Sequence, residues 1–208
     1  MWQSIQQKFT EKIIPRRAEL FGVKNTMATP RLTKVVLNAR IKRGGKADEE
    51  VVVNTLEKIT GQKAVITKAK KSISNFKIRE GQAVGVKVTL RGARLNHFLD
   101  KFINVVLPRV RDFSGLSPAA LDNAGNATFG ITEHLVFPEV GSDDMSKTHG
   151  LQICISTTAK NNKDALTLLK ELGFPFKAAA EKVSKQAKKK AKKSRKESEA
   201  VMHYFFEM

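Results

Sequence analysis

The apolar residues change their spacing several times along the chain, and each change marks an element. Trp2, Ile5, Phe9 and Ile13 recur at helical intervals until Pro15 interrupts them, and a second short stretch ends near Phe21 and Gly22. A short amphipathic helical region is predicted there. After Pro30, RLTKVVLNA gathers Leu32, Val35, Val36 and Leu37 into a β-rich run, predicted as a strand ending near Asn38, with Gly44 and Gly45 making the next turn. Asp48 precedes EEVVVNTLEKITG, in which Val52, Leu56 and Ile59 share a helical face, acidic residues occupy the first turn and Gly61 lies just past the end.

AVITKA, SISNFKI and VGVKVTLRG follow as predicted strands. The last alternates Val84, Val86, Val88 and Leu90 against Gly85, Lys87, Thr89 and Arg91, so one face is apolar and the other polar and basic. ARLNHFLDKFINVVLP carries a broad stripe of Leu95, Phe98, Leu99, Phe102, Ile103 and Val106, predicted as a helix closed by Pro108. Residues 109–149, rich in Gly, Pro, Asp and Asn and holding only short apolar groups such as HLVFPEV, read as loops and short strands. GLQICISTTA alternates as a strand, and NNKDALTLLKELG reads as a helix from an Asn or Asp start to a stop at Gly173. Helices separated by groups of strands predict an α+β domain, a largely antiparallel sheet with helices packed on one side. The other sheet face is then available to a ligand. Residues 1–177 are expected to form this single domain, with its N-terminal helical region, and residues 178–208 a Lys-rich C-terminal extension.

Charge changes the picture more than composition does. The 208 residues carry 38 Lys or Arg against 20 Asp or Glu, a net +18. Residues 63–94 alone hold nine basic residues and one acidic residue, Glu80, threaded between strand-like apolar positions. Like charges on a folded scaffold repel one another unless a polyanion neutralises them, and nucleic acid is the commonest such partner. Within this window Lys68, Lys70, Lys71, Lys77 and Arg79 suit phosphates, and Ser72, Asn75 and Gln82 suit sugars or base edges. Phe76 suits an unpaired base, or else is a core residue of its strand. A solvated cationic face is the alternative for the lysines. Residues 177–208 hold ten basic and four acidic residues, with helix formers but almost no apolar face. This extension is expected to lie along RNA as a partly helical basic arm whose end, VMHYFFEM, meets a neighbour.

Other chemistries find little support. His97, His134, His149 and His203 are scattered, with no Cys or carboxylate at metal-ligand spacing. Cys154, the one cysteine, reads as an inert core thiol and cannot form an internal disulfide. RGGK at 43–46 lacks the earlier glycine and the following Ser or Thr of a phosphate-binding loop. No acid and base pair stands out, so no catalytic activity, metal or cofactor is expected. The beginning of the chain has no signal-peptide pattern and no apolar run reaches about 18 residues, so an intracellular protein without a membrane partner is expected. The competing functions are a structural RNA-binding component, a nonspecific RNA chaperone or DNA binder, and an enzyme acting on RNA.

The order and wording of KNTMATPRLTKVVLNA, ITGQKAVITKAKKSISNFKIREGQAVG, KVTLRGARLNHFLDKF, LPRVRDFSGLS, HLVFPEV, GLQICISTTA and GFPFK discriminate among these. Together, from about Lys24 to Lys177, they resemble the bacterial-type large-subunit ribosomal protein number five family, which binds 5S ribosomal RNA. The resemblance implies a non-catalytic α+β domain in the central protuberance of the large subunit, cytoplasmic and ribosome-bound. It places Asn38, Gln62, Thr89 and Arg91 against 5S RNA, with Arg40 and Lys42 adding local RNA contacts in a turn that is usually less charged. It points the 70–85 segment towards the elbow of peptidyl-site tRNA, through Lys70, Lys71, Ser72, Asn75, Phe76, Lys77 and Arg79. Arg109, Arg111, Asp112, Phe113 and Ser114 would face the small-subunit head. The implied partners are 5S and large-subunit ribosomal RNA, peptidyl-site tRNA, neighbouring central-protuberance proteins and a small-subunit head protein. The chain departs from the family pattern at Arg40, Lys42 and Arg43, at Ser114, at NAGNA with Ala124 and Ala127, and in the extension.

Overall fold

Five strands make one sheet in the order β2-β3-β1-β5-β4, with every neighbouring pair antiparallel. They are β1 (Leu32–Arg40), β2 (Val65–Lys68), β3 (Ala83–Leu90), β4 (Ala127–Ile131) and β5 (Leu151–Thr157). The protein is seen in a computed structural model that describes residues 3–41, 46–140 and 148–177. Trp2, the residues Lys42, Arg43, Gly44 and Gly45 of the predicted turn, and the predicted 178–208 extension lie outside the described residues.

Alternation along each strand decides what the sheet buries. Val35, Leu37 and Ala39 of β1, Val86, Val88 and Leu90 of β3, and Leu151, Ile153 and Ile155 of β5 are all buried, as are Ala127, Phe129 and Ile131 of β4. These residues point to one side, where α3 (Lys46–Thr60) lies against β3 and β1 and α4 (Gly92–Lys101) against β1. The α+β class with helices on one side is therefore the observed one. Val52, Leu56 and Ile59 of α3 are buried together, as their spacing predicts.

The apolar stripe after Arg91 is continuous but not uniform. α4 widens into a π-helical turn at Phe102–Val106 and ends in a last α turn, α5 (Leu107–Arg109). Phe98, Leu99, Phe102, Ile103, Val106 and Leu107 are all buried, and the wider turn helps keep them on the core side. Pro108 does not close the helix ahead of itself. It occupies the start of the final turn, where its missing N–H costs little, and the chain leaves at Val110. Phe98 and Phe102 stack at 6.0 Å, and Phe174, just beyond the last helix, closes on Phe102 at 6.4 Å and on Phe129 at 6.2 Å.

The N-terminal region folds as α1 (Ile5–Lys8), a π turn at Phe9–Ile13, and α2 (Arg17–Phe21), which ends at Gly22 in a left-handed conformation. Ser4 and Gln7 form a reciprocal cap, and the Ile5 N–H donates to Asp100 Oδ1 at 2.8 Å. α6 (Asn162–Leu172) starts after Asn161 and stops at Gly173 (φ 102°), as the sequence predicts, and Lys8 Nζ donates to its Leu172 carbonyl at 3.2 Å. One clamp ties three elements together. Lys101 Nζ donates to the Ile59 carbonyl at 2.7 Å and to Glu139 Oε1 at 2.5 Å, and lies 6.0 Å from the Phe98 ring centre. Lys101→Met keeps the stem but deletes the charge-assisted bonds, so chemical denaturation is expected to show a loss of about 1–2 kcal/mol. An unchanged midpoint would mean that solvent replaces the clamp without cost.

One expected strand is corrected. SISNFKI is not a strand: only Ile73 and Ile78 pair, through a single bridge, and the residues between them turn, with Lys77 at a φ of 51°. Ser74 and Asn75 favour such a turn over a ladder, and the side chains of residues 72–77 are exposed, so no buried face fixes an extended form. HLVFPEV, in the region expected to hold loops and short strands, contains a 3-10 turn at His134–Val136.

Candidate nucleic-acid interface

The strands present their other set of side chains on the face that the helices leave open. Pairing register sets these residues in rows. Val65, Lys87, Asn38, Gln152 and Gly130 lie side by side across all five strands. Thr89, Val36, Cys154 and Thr128 form the next row. Thr67, Gly85 and Arg40 form another towards the opposite end. At about 4.8 Å per strand, the surface is about 19 Å wide. Apart from the apolar Val65 and Val36, its outward residues are polar, basic or small, with no acidic or aromatic side chain in these rows. Gly85 has a packing reason: a Cβ there would stand 2.9 Å from the Ala39 carbonyl oxygen and 3.2 Å from Thr67 Oγ1. An open depression of about 460 Å³ lies in this face, lined in part by Asn38, Arg40, Thr67, Gly85 and Gln152.

Gln62 extends one end of the face. Gly61 (φ 64°) turns the chain after α3, and Gln62 Nε2 donates to the Thr89 carbonyl at 3.1 Å while its Oε1 accepts from Arg94 Nη1 at 3.4 Å. Gln62, Thr89 and Arg94 thus form one cluster. Arg91, placed on the strand by its alternation, stands just past β3 as the extended cap residue of α4 and is exposed. The structure brings Asn38 directly opposite Lys87, while Arg40 sits at the far end opposite Gly85. Lys42 lies outside the described residues.

Sequence reasoning named Lys87 only as an outward residue and missed Gln152, Thr128, Ser156 and Cys154 as members of this surface. The alternation of Leu151, Ile153 and Ile155 was the available signal. Cys154 is accordingly not a core thiol. It is partly exposed, and its sulfur accepts from Thr128 Oγ1 at 3.8 Å and from Asn38 Nδ2 at 4.0 Å.

The basic 70–82 segment is a separate, internally bonded arm between β2 and β3. At its base the Ala69 N–H donates to the Gln82 carbonyl at 2.8 Å and the Gly81 N–H to the Ala69 carbonyl at 3.0 Å. Near its tip Ile73 and Ile78 exchange backbone bonds of 2.9 and 3.1 Å. Lys70, Lys71, Asn75, Lys77 and Arg79 are exposed around it, and Phe76, at 56% exposure, is not a core residue. Ser72 and Gln82 are partly committed within the arm: Ser72 Oγ donates to the Ile78 carbonyl at 3.2 Å, and Gln82 Oε1 accepts from the Arg79 N–H at 3.1 Å.

Arg109 at the end of α5 and Arg111, Asp112 and Ser114 beyond it are exposed, with Phe113 half-buried and Asp112 at a φ of 52°. Arg109 and Arg111 border a cleft of about 270 Å³ with Ile131, Glu133 and Val136. In the nearby NAGNA segment Ala124 is exposed, whereas Ala127 is fully buried, so only the former alters a surface. Asp122 organises this turn. Its carboxylate accepts from Asn126 Nδ2 at 2.9 Å and from the N–H groups of Asn126 and Ala124, and these bonds, the Asn126 side chain first, hold it below its ordinary value of 3.8.

His134 and His149, 15 residues apart in sequence, stack 4.1 Å apart in the interior, and the His149 N–H donates to His134 Nδ1 at 3.3 Å. They are therefore not scattered, although no cluster of three or more His, Cys, Asp or Glu capable of holding a metal occurs among the described residues.

Comparison with known proteins gives this surface its context. The family described as "Ribosomal protein L5" matches residues 25–79, and the C-terminal domain of the same ribosomal family matches residues 83–176. The chain belongs to the ribosomal protein L5 family. It is 50% identical over 175 residues to "Large ribosomal subunit protein uL5" of Fervidobacterium nodosum, covering 83% of this chain and 95% of that protein. The proteins of the same description from Caldanaerobacter subterraneus subsp. tengcongensis and Halothermothrix orenii are each 49% identical and are covered over 97% of their lengths. Membership in the L5 family makes the chain a structural, non-enzymatic ribosomal constituent acting in translation, in the cytoplasm. Among the described residues, no helix is long and apolar enough to cross a membrane.

Proposed function

We propose that the open sheet face holds 5S ribosomal RNA in the central protuberance of the large subunit. The observation that carries this reading is the five-strand row of Val65, Lys87, Asn38, Gln152 and Gly130, continuous with the Gln62, Thr89 and Arg94 cluster and with Arg91 beside it. A wide, shallow, acid-free surface can follow an RNA backbone closely. Lysine and arginine neutralise phosphates, while the amides and hydroxyls reach 2′-hydroxyls and base edges. No aromatic in these rows offers a platform for splayed bases, so contact rests on shape and hydrogen bonding.

The 70–82 arm suits a passing tRNA in the peptidyl site. Its exposed lysines contact phosphates without reading sequence, which lets every tRNA be accepted, and Phe76 adds an apolar tip. Its internal bonds support an arm preformed before RNA arrives, which reduces the entropy lost on contact. Arg109, Arg111, Asp112, Phe113 and Ser114 suit contact with a small-subunit head protein, with large-subunit RNA and neighbouring central-protuberance proteins around them. Ala124 offers no charge there.

The single cysteine gives a direct test, because it sits in the proposed interface. Bound 5S RNA is expected to slow maleimide labelling of Cys154 at least about tenfold, and the labelled protein to bind 5S RNA at least about tenfold more weakly, a difference of about 1.4 kcal/mol. Labelling at the same rate with and without saturating RNA would remove the sheet face from the interface.

A further inference from the structure

One end of the sheet is hollow. β1 and β4 finish there at Arg40 and Ile131, and β3 and β5 begin there at Ala83 and Leu151. The depression of about 460 Å³ lies at this end. Its deeper wall is aliphatic, with Ala39, Ile131 and Leu151 buried and Val84 half-buried beside them. Its rim is polar, made by Asn38, Arg40, Thr67 and Gln152. The strand ends themselves account for the opening. The register of β2 on β3 shifts between Thr67 and Lys68, which leaves Val84 without a partner on β2, while the Val84 carbonyl accepts from the Ile41 N–H at 3.0 Å. Gly85 and Gly150 put no side chain into the space, and a Cβ at Gly150 would stand 3.1 Å from the Ile131 carbonyl oxygen.

The rim groups differ in what they have left to offer. Thr67 Oγ1 donates to the Gly85 carbonyl at 2.8 Å, and Asn38 Nδ2 donates to Cys154 Sγ at 4.0 Å, which leaves the Asn38 amide oxygen as an acceptor. Arg40 and Gln152 are exposed, and their side chains hydrogen-bond to no other described residue. A guanidinium, two amides and an aliphatic wall, with no acidic residue among them, match the parts of a nucleotide: phosphate, base edge and base. Size narrows the match further. The volume lies towards the low end of the roughly 300–1,000 Å³ of small-ligand sites, room for one nucleotide but not for a helix. A duplex must ride across the face, so what enters the hollow is a base that is already unpaired, which avoids the cost of breaking a pair. The rows of the sheet hold no aromatic platform, and the aliphatic wall at their end supplies the apolar contact in its place.

We propose that this hollow is a subsite for one unpaired nucleotide of the RNA on the sheet, with the Asn38 and Gln152 amides on its base edge and Arg40 on its phosphate. The proposal rests on the sheet-face reading and deepens it, because it separates backbone contact along the rows from capture of a single base at their end.

The test is missing-nucleoside interference on 5S RNA. A pool of molecules, each lacking one nucleoside, is equilibrated with the full chain, and bound and unbound fractions are compared position by position. One unpaired position is expected to be depleted from the bound fraction at least about tenfold, against about threefold or less at paired positions. 2-Aminopurine placed at that position should brighten on binding, as a base removed from its stack does. Combining Arg40→Gln with Gln152→Leu is expected to erase the depletion at that position alone, whereas Lys87→Glu weakens binding of the whole pool and leaves the pattern in place. Interference spread evenly along the RNA, or a pattern unchanged in the double variant, overturns the subsite while 5S binding by the sheet face stands. Displacement of 5S RNA by adenosine monophosphate alone overturns bound RNA as the source of the nucleotide. If the chain binds 5S RNA no better than an unrelated folded RNA, the sheet-face reading falls and the subsite with it, so the two failures are told apart.

Discussion

Lys87→Glu is expected to weaken 5S RNA binding by about ten- to a hundredfold, or about 1.4–2.7 kcal/mol, and to leave stability within about 0.5 kcal/mol of the parent. Lys87 is exposed in the central row, between Val65 at the sheet edge and Asn38 on β1. Reversal removes one phosphate-neutralising charge and sets an anion against the RNA backbone, so both attraction and counterion release suffer. The row offers no acidic residue that already plays this role. The salt slope of binding should become shallower by about one contact. Unchanged affinity and slope, with the fold intact, would show that RNA does not cross this row.

Phe102→Ala is expected to cost about 3–5 kcal/mol, a large share of the 5–15 kcal/mol typical of a domain. Its ring is fully buried and lies against both Phe98 and Phe174, so it connects the long helix to the end of the core. Truncation removes apolar burial and leaves a cavity in surroundings that include the sheet and the π turn. Urea denaturation reads this directly, and RNA affinity of the still-folded fraction should be little changed. A loss below about 1 kcal/mol would mean that the core collapses readily around the site.

These two residues differ in how visible they were beforehand. Phe102 belongs to a stripe with Leu95, Phe98, Leu99, Ile103 and Val106, whose spacing specifies a helix and its buried face locally. Lys87 likewise follows from the alternation of β3. That Lys87 stands beside Asn38, and Asn38 beside Gln152, was not legible, because strand order and register are set by pairing between segments about 50 and more than a hundred residues apart. The same dependence on pairing placed Cys154 on the open face, and the stacking of His134 on His149, 15 residues apart, was signalled by no local spacing. SISNFKI misled for a local reason: its apolar residues have strand-like spacing, but Ser74 and Asn75 turn the chain and no core lies beneath them. Gln62 and Thr89, carried over by resemblance to the family, lie within one hydrogen bond of each other. Arg109 and its neighbours form a separate surface whose partner no local pattern specifies.

The most direct test of the sheet-face reading is a salt-titrated comparison of 5S ribosomal RNA with an unrelated folded RNA of similar length, using the 1–177 chain so that the cationic extension contributes nothing. Both RNAs should show steep salt dependence. A preference for 5S RNA of at least about tenfold at physiological salt, or about 1.4 kcal/mol, that is lost in Lys87→Glu is the expected result. Equal binding of the two RNAs at every salt concentration would contradict specific recognition by this face and leave a generic cationic surface in its place.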